Sequence, residues 1–450
     1  MLNYIWLGLI LLAVIIGGCT GNMKAVADRS FEMCRVAVMD IALPLVGIMA
    51  LWLGIMRLAE RSGLVTLLAR VMRPLMRRLF PDVPPDHPAM GSMLMNMAGN
   101  MLGLGNASTA LGLRAMKDLE TLNPRPGTAT NAMCTFLAIN TSSIQLIPVN
   151  AMAILAANHS ANPSAIVGTS IMATTCAAIS GVTMAKFLER LRIFRLPPAP
   201  IGAASAPVAT DAGAGVAETK LPIKEADTLQ PLQWWGRLAM GAFGLFFVYV
   251  FVRLAFPAAL GLPVPEETAQ QNTFVRIVDS VSRISVPLLL SIFPLYAALR
   301  RVKVYEEFVS GAREGFEVAV RIIPYLVAIL VAMGMFRAAG GIDLLSSGLR
   351  PAMSYVGFPS ELLPLVLVRP LSGTGALGVF SELVKTLGPD HLISRMAGTI
   401  YGSTETTFYV LAVYFGAVGI KKTRYALLAG LTADLVGVIA SVIICRLVFA

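Results

Sequence analysis

Long apolar runs recur along the chain, separated by short polar connections, and this alternation decides the fold class. A membrane-spanning helix needs about 20 consecutive apolar residues. Runs near or above that length cover residues 2–18, 36–56, 129–156, 164–188, 234–256, 274–299, 396–418 and 425–448. The pattern predicts an all-α polytopic membrane protein.

Two of these apolar runs carry a dense cluster of polar side chains. The first reads NTSSIQLIP at residues 140–148, and the second reads GSTETTFYVLAVYFG at residues 402–416. Polar and ionisable side chains are costly at membrane depth, so such clusters indicate a functional site. Aligning Met133 with Met396 brings the clusters into register and predicts an internal duplication. The aligned pairs are Asn140 with Ser403, Thr141 with Thr404, Ser142 with Glu405 and Ser143 with Thr406.

Each half also contains an apolar segment that glycines interrupt. Residues 90–113 are broken by Gly99, Gly103 and Gly105, and residues 368–378 read VRPLSGTGALG. Opened backbone at membrane depth is tolerated only where protein buries it or water lines it. We therefore expect each repeat to hold a broken or re-entrant hairpin segment, and each polar cluster to form an interrupted helix.

The repeat and a change of composition divide the chain into four parts. GIMR at residues 54–57 matches GMFR at residues 334–337, which extends the repeat toward the N-terminus of each half. Residues 197–220 mix Pro, Ala and Gly without periodicity, which is typical of a disordered linker. The predicted parts are a first repeat at 1–190, a disordered cytoplasmic linker at 191–232, an extra transmembrane span at 233–258 and a second repeat at 274–450.

Loop charges test the topology, because Lys and Arg concentrate in cytoplasmic loops. If each broken segment enters and leaves on one side and the N-terminus is inside, 23 of the 36 Lys and Arg residues lie inside and 10 outside. If both segments span fully, 13 lie inside and 20 outside, and inverting that topology places the six arginines of residues 57–90 outside. The re-entrant topology is favoured. It makes the halves inverted repeats, which are typical of secondary transporters.

Composition excludes several other classes of protein. Hydrophobic residues make up 56% of the chain and charged residues only 14%, against about 25% in soluble domains. The net charge of +10 comes from basic residues that flank apolar segments, so no nucleic-acid partner is predicted. The five cysteines and three histidines are scattered, without metal-ligand spacing. No metal, no cofactor and no enzymatic activity are predicted.

The two halves resemble two known families. The first half looks like spore maturation protein A in GLGNASTALGLRAM, TFLAINTSSIQLIPVNAMAI and NPSAIVGTSIMATT. The second half looks like spore maturation protein B in RPLSGTGALG, GSTETTFYVLAVYFGAVGIKKTRYAL and AGLTADLVG. The chain thus resembles a natural fusion of the two. Both families are grouped with the nucleoside recognition, or Gate, domain, which is similar to the core of concentrative nucleoside transporters. That resemblance implies two re-entrant hairpins and two interrupted helices that hold substrate and ion.

The candidate site residues are the polar side chains of the broken segments and interrupted helices. For Glu405 we weigh an ion-coupling or substrate-binding role against a structural ion pair with Arg369, and for Asp434 ion coupling against a hydrogen bond to a neighbouring helix. The substrate-binding candidates are Asn100, Asn106, Ser108, Asn140, Thr141, Ser142, Ser143, Arg369, Ser372, Thr374, Ser403, Thr404, Glu405 and Thr406, and the ion-coupling candidates are Glu405 and Asp434.

These features favour a secondary transporter of the inner (cytoplasmic) membrane that moves a small polar or anionic organic solute, a nucleoside-like one included, through a midplane site between inverted repeats. The alternative is a non-transporting membrane assembly factor for envelope or spore maturation. Predicted partners are the lipid bilayer, the solute and either Na⁺ or H⁺, and a homo-oligomer is compatible with the sequence. Arg369 suits an anionic group and Glu405 suits a coupling cation.

Overall fold

A computed structural model describes residues 2–103, 106–194, 232–263, 271–341, 344 and 357–449. Every regular element in this part of the chain is helical, and the only β-type contact there is an isolated bridge between Thr128 and Lys422. The prediction of an all-α protein is therefore confirmed. Most of the predicted linker, residues 195–231, lies outside the described residues.

The helices of the first half begin and end close to the polarity changes in the sequence. A π-helical stretch, Val36–Ala42, joins the second helix to the third without a break. The helices are α1 (Leu2–Thr20), α2 (Met23–Arg35), α3 (Leu43–Arg61), α4 (Leu64–Leu79), α5 (Pro88–Leu102), α6 (Asn106–Glu120), α7 (Asn131–Thr141), α8 (Val149–Ala157) and α9 (Ile166–Arg190).

The second half repeats this order after one additional helix, α10. Its helices are α10 (Trp234–Ala255), α11 (Thr273–Leu299), α12 (Val304–Ala338), α13 (Leu363–Val368), α14 (Gly373–Leu387), α15 (Leu392–Ser403), α16 (Thr407–Gly416) and α17 (Ala426–Phe449). The α5–α6 and α13–α14 pairs occupy the two broken segments. The α7–α8 and α15–α16 pairs are the two interrupted helices.

Several helices have the length and composition of membrane spans. Within the described residues they are Met23–Arg61, Pro163–Arg190, Trp234–Ala255, Thr273–Leu299 and Ala426–Phe449. Only 6% of the most apolar window of α10 is buried, against 61% in the span that contains α9. The chain is thus a multi-pass membrane protein in which α9 lies in the interior and α10 lies at the periphery, with its apolar surface exposed.

Corresponding helices of the two repeats pack against each other in opposite directions. Gly54 of α3 packs on Phe308 near the start of α12, whereas Gly334 near the end of α12 packs on Met33 of α2. As residue numbers rise along α12, the contacted numbers fall. The span that contains α2 and α3 therefore runs antiparallel to α12.

The same relation holds for the last helix of each repeat. Gly181 of α9 packs on Ala433 of α17, and Gly437 packs on Ala177. Antiparallel contact between corresponding helices is what inverted repeats require. The inverted orientation of the repeats in a bilayer stays a prediction.

A carboxylate ties the two repeats together at one end of the helices. Asp390, between α14 and α15, accepts hydrogen bonds from the Ser160 hydroxyl at 2.8 Å and from the Ala161 N–H at 2.9 Å. Burial alone would raise the pKa of this carboxyl, but these donors and the nearby Arg395 guanidinium outweigh burial and hold its pKa below the usual range. Asp390 therefore bridges the α8–α9 connection to the second repeat in its charged form.

We expect Asp390→Asn to lower the melting temperature in detergent at pH 7, with a loss of about 1 kcal/mol for a partly exposed hydrogen-bonded carboxylate. Because the folded-state pKa is depressed, this stability is present above the unfolded pKa of about 3.9 and is lost as pH falls through the folded value. Melts from pH 7 to pH 3 should therefore show the two proteins converging in acid. Asp86→Asn, at an exposed pair with Arg73, is the matched control and should change nothing measurable. A constant difference across the pH range would exclude the carboxylate as the cause.

Candidate functional site

The two interrupted helices meet at their breaks. In the first repeat α7 ends at Thr141 and α8 begins at Val149, and in the second α15 ends at Ser403 and α16 begins at Thr407. The breaks contact directly, because the Glu405 N–H donates a 2.9 Å hydrogen bond to the Thr141 carbonyl. The repeat alignment thus placed both breaks correctly.

Local chemistry explains why the first interrupted helix stops. Ser143 adopts a φ of 41°, in the left-handed region that ends a helix, and Pro148 has no N–H to continue one. The freed carbonyls of Ser142 and Ser143 both accept from the Thr174 hydroxyl of α9, at 2.8 and 2.9 Å. The interior helix α9 therefore supplies a shared donor to the opened backbone.

The first hairpin reaches the interrupted helix through two asparagines. Helix α5 ends at Leu102, followed by Gly103 with a φ of 76°. The Asn100 side-chain amide donates to the Asn140 carbonyl oxygen at 2.9 Å, and the Asn140 amide donates to the Phe136 carbonyl at 2.9 Å. The Asn100 amide therefore joins the hairpin to the Asn140 side chain of α7, whereas the Asn140 amide bonds within α7.

The second hairpin reaches its interrupted helix through an arginine. Arg369 lies in the turn between α13 and α14, where the Ser372 hydroxyl caps α14 by accepting from the Gly375 N–H at 3.0 Å. The Arg369 guanidinium crosses to α15 and donates to the Tyr401 carbonyl at 2.9 Å and to the Thr404 carbonyl. It also lies 4.4 Å above the Tyr401 ring, so it receives a cation–π contact.

The charge of Arg369 is only loosely neutralised. Its nearest carboxylate is Glu405, whose Oε1 lies 4.0 Å from Nη1, although the Arg369 side chain is only 5% exposed and Glu405 is 35% exposed. A closely paired guanidinium and carboxylate would lie about 2.7–2.9 Å apart. The Glu405 carboxylate is itself held by long contacts, 3.4 Å from the Ser143 hydroxyl and 3.3 Å from the Thr406 N–H. Among the described residues, Arg369 Nε has no hydrogen-bond partner.

A small cleft opens beside this pair. Its cavity volume is about 60 Å³, well below the ~300–1,000 Å³ typical of ligand pockets, so in this conformation it has room for a small polar group only. Gly402 is required at its edge, because a Cβ there would collide with the Pro148 ring. The lining residues are Gln145, Pro148, Asn150, Ala151, Arg369, Tyr401, Gly402 and Glu405.

The structure brings the predicted residues of both breaks together, but of these only Arg369 and Glu405 line the cleft. Many of their hydroxyls, however, bond backbone carbonyls of their own helices: Thr141 donates to Ala138, Ser142 to Ile139 and Thr404 to Ile400. These side chains close helix ends. The predicted residues at the crossing of the breaks are Thr141, Ser142, Ser143, Arg369, Ser403, Thr404, Glu405 and Thr406.

The remaining candidates lie around the hairpins and on α17. Ser108 is buried in α6, where its carbonyl accepts from the Asn96 amide at 2.7 Å, and the Thr374 hydroxyl lies 3.4 Å from that of Ser372. Asn106 begins α6, but its side chain lies outside the described residues. Asp434 of α17 accepts from the Thr407 hydroxyl at 2.5 Å.

Three polar residues that line the cleft are absent from the predicted set: Gln145, Asn150 and Tyr401. Gln145 lies within the first polar cluster, and Asn150 follows Pro148 closely, so polarity inside an apolar run marks both. Tyr401 gave no such signal, because an aromatic residue is ordinary in a membrane helix.

These elements define an all-helical multi-pass membrane protein whose halves each combine a helical hairpin with an interrupted helix. A family model for the Gate domain, described as nucleoside recognition, matches residues 42–158 and 319–421. The chain belongs to the family of spore maturation proteins A and B, and it combines relatives of both in one polypeptide.

Spore maturation protein B of Bacillus subtilis is 49% identical over 175 residues, which are 39% of this chain and 98% of that protein. Spore maturation protein A of Bacillus subtilis is 41% identical over 187 residues, 42% of this chain and 95% of that protein. The chain is also similar to the Alcanivorax borkumensis YdaH transporter at 15% identity and a TM-score of 0.42, covering 99% of this chain and 97% of that one. The resemblance to a fused pair of spore maturation proteins is thus confirmed.

Proposed function

We propose that the protein is a secondary transporter of the cytoplasmic membrane that carries a small anionic organic solute through the cleft between the two helix breaks. One observation carries the proposal: a buried arginine lies where both breaks meet, and its nearest carboxylate is 4.0 Å away. A buried cation needs close anionic partners to offset its desolvation. A solute carboxylate would supply the missing partner.

The surroundings of Arg369 support an anionic ligand. A Cβ at Gly373 would lie 3.1 Å from Thr406 Oγ1 and 3.8 Å from Arg369 Nη1, so the glycine keeps the space beside the guanidinium open. Thr406 Oγ1 is buried and has no hydrogen-bond partner among the described residues. A guanidinium and a nearby hydroxyl together suit a carboxylate.

Glu405 gives the site two states: its carboxylate lies beside Arg369 when the site is empty, and a solute anion takes that place when the site is loaded. Its carboxylate is partly exposed in the cleft and only loosely bound, so it is free to yield its place beside Arg369 when an anion enters. The amides of Gln145 and Asn150 and the Tyr401 hydroxyl would contact the polar remainder of the solute. The family description, nucleoside recognition, points to the same kind of polar contacts.

The test is ligand-dependent stabilisation of the purified full chain in detergent, using acetate, succinate, benzoate and uridine. A ligand at 100 times its dissociation constant stabilises by about 2.7 kcal/mol. We expect an anion to raise the melting temperature and Glu405→Gln to retain or strengthen that binding, because it removes the competing carboxylate. Glu306→Gln, at the exposed pair with Lys303, is the matched control. If uridine alone raises the melting temperature, the solute is neutral and the anionic part of the proposal is wrong.

The names of the relatives favour a second candidate, a membrane assembly factor that acts in envelope or spore maturation without transporting a solute. The two functions differ in what Glu405→Gln does in liposomes that contain the purified protein. A transporter would lose accumulation of the stabilising radiolabelled anion while binding it. An assembly factor would neither bind nor accumulate any of the anions, and the variant would retain its full effect in cells.

A further inference from the structure

Asp434 presents a buried carboxyl group in the middle of α17. The residue is 5% exposed, and its Oδ2 accepts a 2.5 Å hydrogen bond from the Thr407 hydroxyl, the first residue of α16. Its Oδ1 has no hydrogen-bond partner in the described part of the chain. A buried carboxylate normally has either a cation or several donors. Among the described residues, Asp434 has a single donor, the Thr407 hydroxyl.

The helices packed against α17 bring neutral groups to the neighbourhood of Asp434. One turn before it, Gly430 packs on Thr407 and Thr141, and close to one turn after it, Gly437 packs on Thr404 and Ala177. These residues belong to α7, α9, α16 and the second break, and α15 adds Ser403, whose hydroxyl contacts Ser441 at 3.1 Å. These packing contacts of the described residues therefore supply methyl groups and hydroxyls rather than charges.

Among the described residues, two charged groups act electrostatically on Asp434, and both line the cleft. They are the Arg369 guanidinium and the Glu405 carboxylate, which have opposite signs. The other charges of the packed helices lie toward helix ends: Lys186 pairs with Glu189 at 3.1 Å in α9, Arg395 of α15 with Asp390 at 3.4 Å, and Arg446 of α17 donates to the Gly357 carbonyl. Arg369 donates to backbone carbonyls and to no atom of Asp434.

A proton satisfies this carboxyl better than a metal cation does. A bound metal cation requires several oxygen ligands around it. The near neighbours offer mainly methyl groups, and the Thr407 hydroxyl already bonds the carboxylate. A proton needs only the carboxyl oxygen itself and removes the cost of a buried charge.

We propose that Asp434 is a proton-binding site and that its proton is the coupling ion for the anionic solute. The coupling part rests on the proposed function. With the proton on Asp434, the positive field of Arg369 acts on the solute anion and on Glu405 alone. Without it, the Asp434 carboxylate adds its negative field to that of Glu405 and repels the anion. Proton and anion therefore load together, the proton entering from one bulk phase and leaving to the other.

Infrared spectroscopy of the full chain in detergent tests the proton without any ligand. We expect a C=O stretching band of a protonated carboxyl at pH 7 that is absent in Asp434→Asn and retained in Glu405→Gln. Asparagine keeps the acceptor for Thr407, so the variant should fold. Thr407→Val is a second route to the assignment, because removal of the hydrogen bond should shift the same band to higher frequency. If wild type and Asp434→Asn have the same carboxyl bands, Asp434 is ionised and the proposal is wrong.

Two further comparisons separate the alternatives. A melting temperature that rises with NaCl but not with choline chloride, and only when Asp434 is intact, would identify a sodium site and overturn the proton. For coupling, binding of succinate or benzoate should weaken at least tenfold from pH 6 to pH 8 in wild type and not in Asp434→Asn. Equal pH dependence in both proteins would overturn coupling. If the Asp434 band is present but no anion binds wild type, the proton site stands and the proposed transport function fails.

Discussion

Arg369→Ala is expected to lower the stability of the protein by about 3 kcal/mol and to abolish anion binding. The substitution leaves the Tyr401 and Thr404 carbonyls without their donor in a buried place, and an unsatisfied buried polar group costs about 1–3 kcal/mol. It also removes the cation–π contact with the Tyr401 ring. Melting of the purified protein in detergent measures the first effect, and titration with succinate or benzoate measures the second.

Arg369→Lys separates charge from shape. Lysine keeps the positive charge but presents a point-like ammonium that cannot hold two carbonyls and an aromatic face together. We expect it to recover part of the stability and to bind the anion at least tenfold more weakly than arginine. Arg283→Ala, which removes an exposed arginine from another membrane helix, should change stability by no more than about 0.5 kcal/mol. If Arg369→Ala and wild type have the same melting temperature, the guanidinium does not stabilise the second break.

The positions of the helix breaks could be predicted from the sequence, because a break leaves a chemical trace. Backbone groups that lack helical partners need hydroxyls, amides or prolines nearby, and those residues are conspicuous in an apolar run. The Met133 and Met396 alignment places Thr141 opposite Thr404, and the first helix ends at Thr141 while the second ends one residue earlier, at Ser403. The polar residue types and the repeat alignment together predicted both interrupted helices.

The direction of the side chains at the breaks could not be predicted in the same way. A serine or threonine in a membrane helix can bond the carbonyl one turn back or point into a cavity, and its sequence context is the same in both cases. Thr141 and Thr404 do the former. Which residues line the cleft depends on how the two interrupted helices cross, and close packing at the breaks, such as Gly402 on Pro148, contributes to that crossing.

The loose contact between Arg369 and Glu405 also lay beyond sequence reasoning. Pairing of an intramembrane arginine with an intramembrane glutamate is an expected consequence of charge, and the two residues do lie together. The guanidinium, however, is committed to the carbonyls of Tyr401 and Thr404, which holds it away from the carboxylate. Only the three-dimensional arrangement of the hairpin turn and the break determines that separation, and the separation is what favours a ligand.

Gly315→Leu is expected to prevent folding, because the two repeats touch backbone to backbone at this position. A Cβ on Gly315 of α12 would lie 2.7 Å from the Ala50 Cα and from the Met49 carbonyl oxygen of α3, and a backbone cannot move aside as a flexible side chain does. Gly311, one turn earlier, meets the Leu53 carbonyl in the same way. Small residues four apart are a common basis of close helix packing in membranes.

Gly315→Ala provides the graded test, with an expected loss of about 1–3 kcal/mol from overpacking. Gly244 of the peripheral helix α10 is the matched control, since a Cβ there has no heavy atom within 4 Å. Gly244→Ala should be neutral or stabilise by up to about 1 kcal/mol, because alanine is the better helix former. Melting and size-exclusion chromatography measure both variants. A loss of stability in Gly315→Ala together with no loss in Gly244→Ala would locate the overpacking at the α3–α12 contact. Equal melting of the two alanine variants would show that the α3–α12 contact tolerates a Cβ and that close backbone approach is not required there.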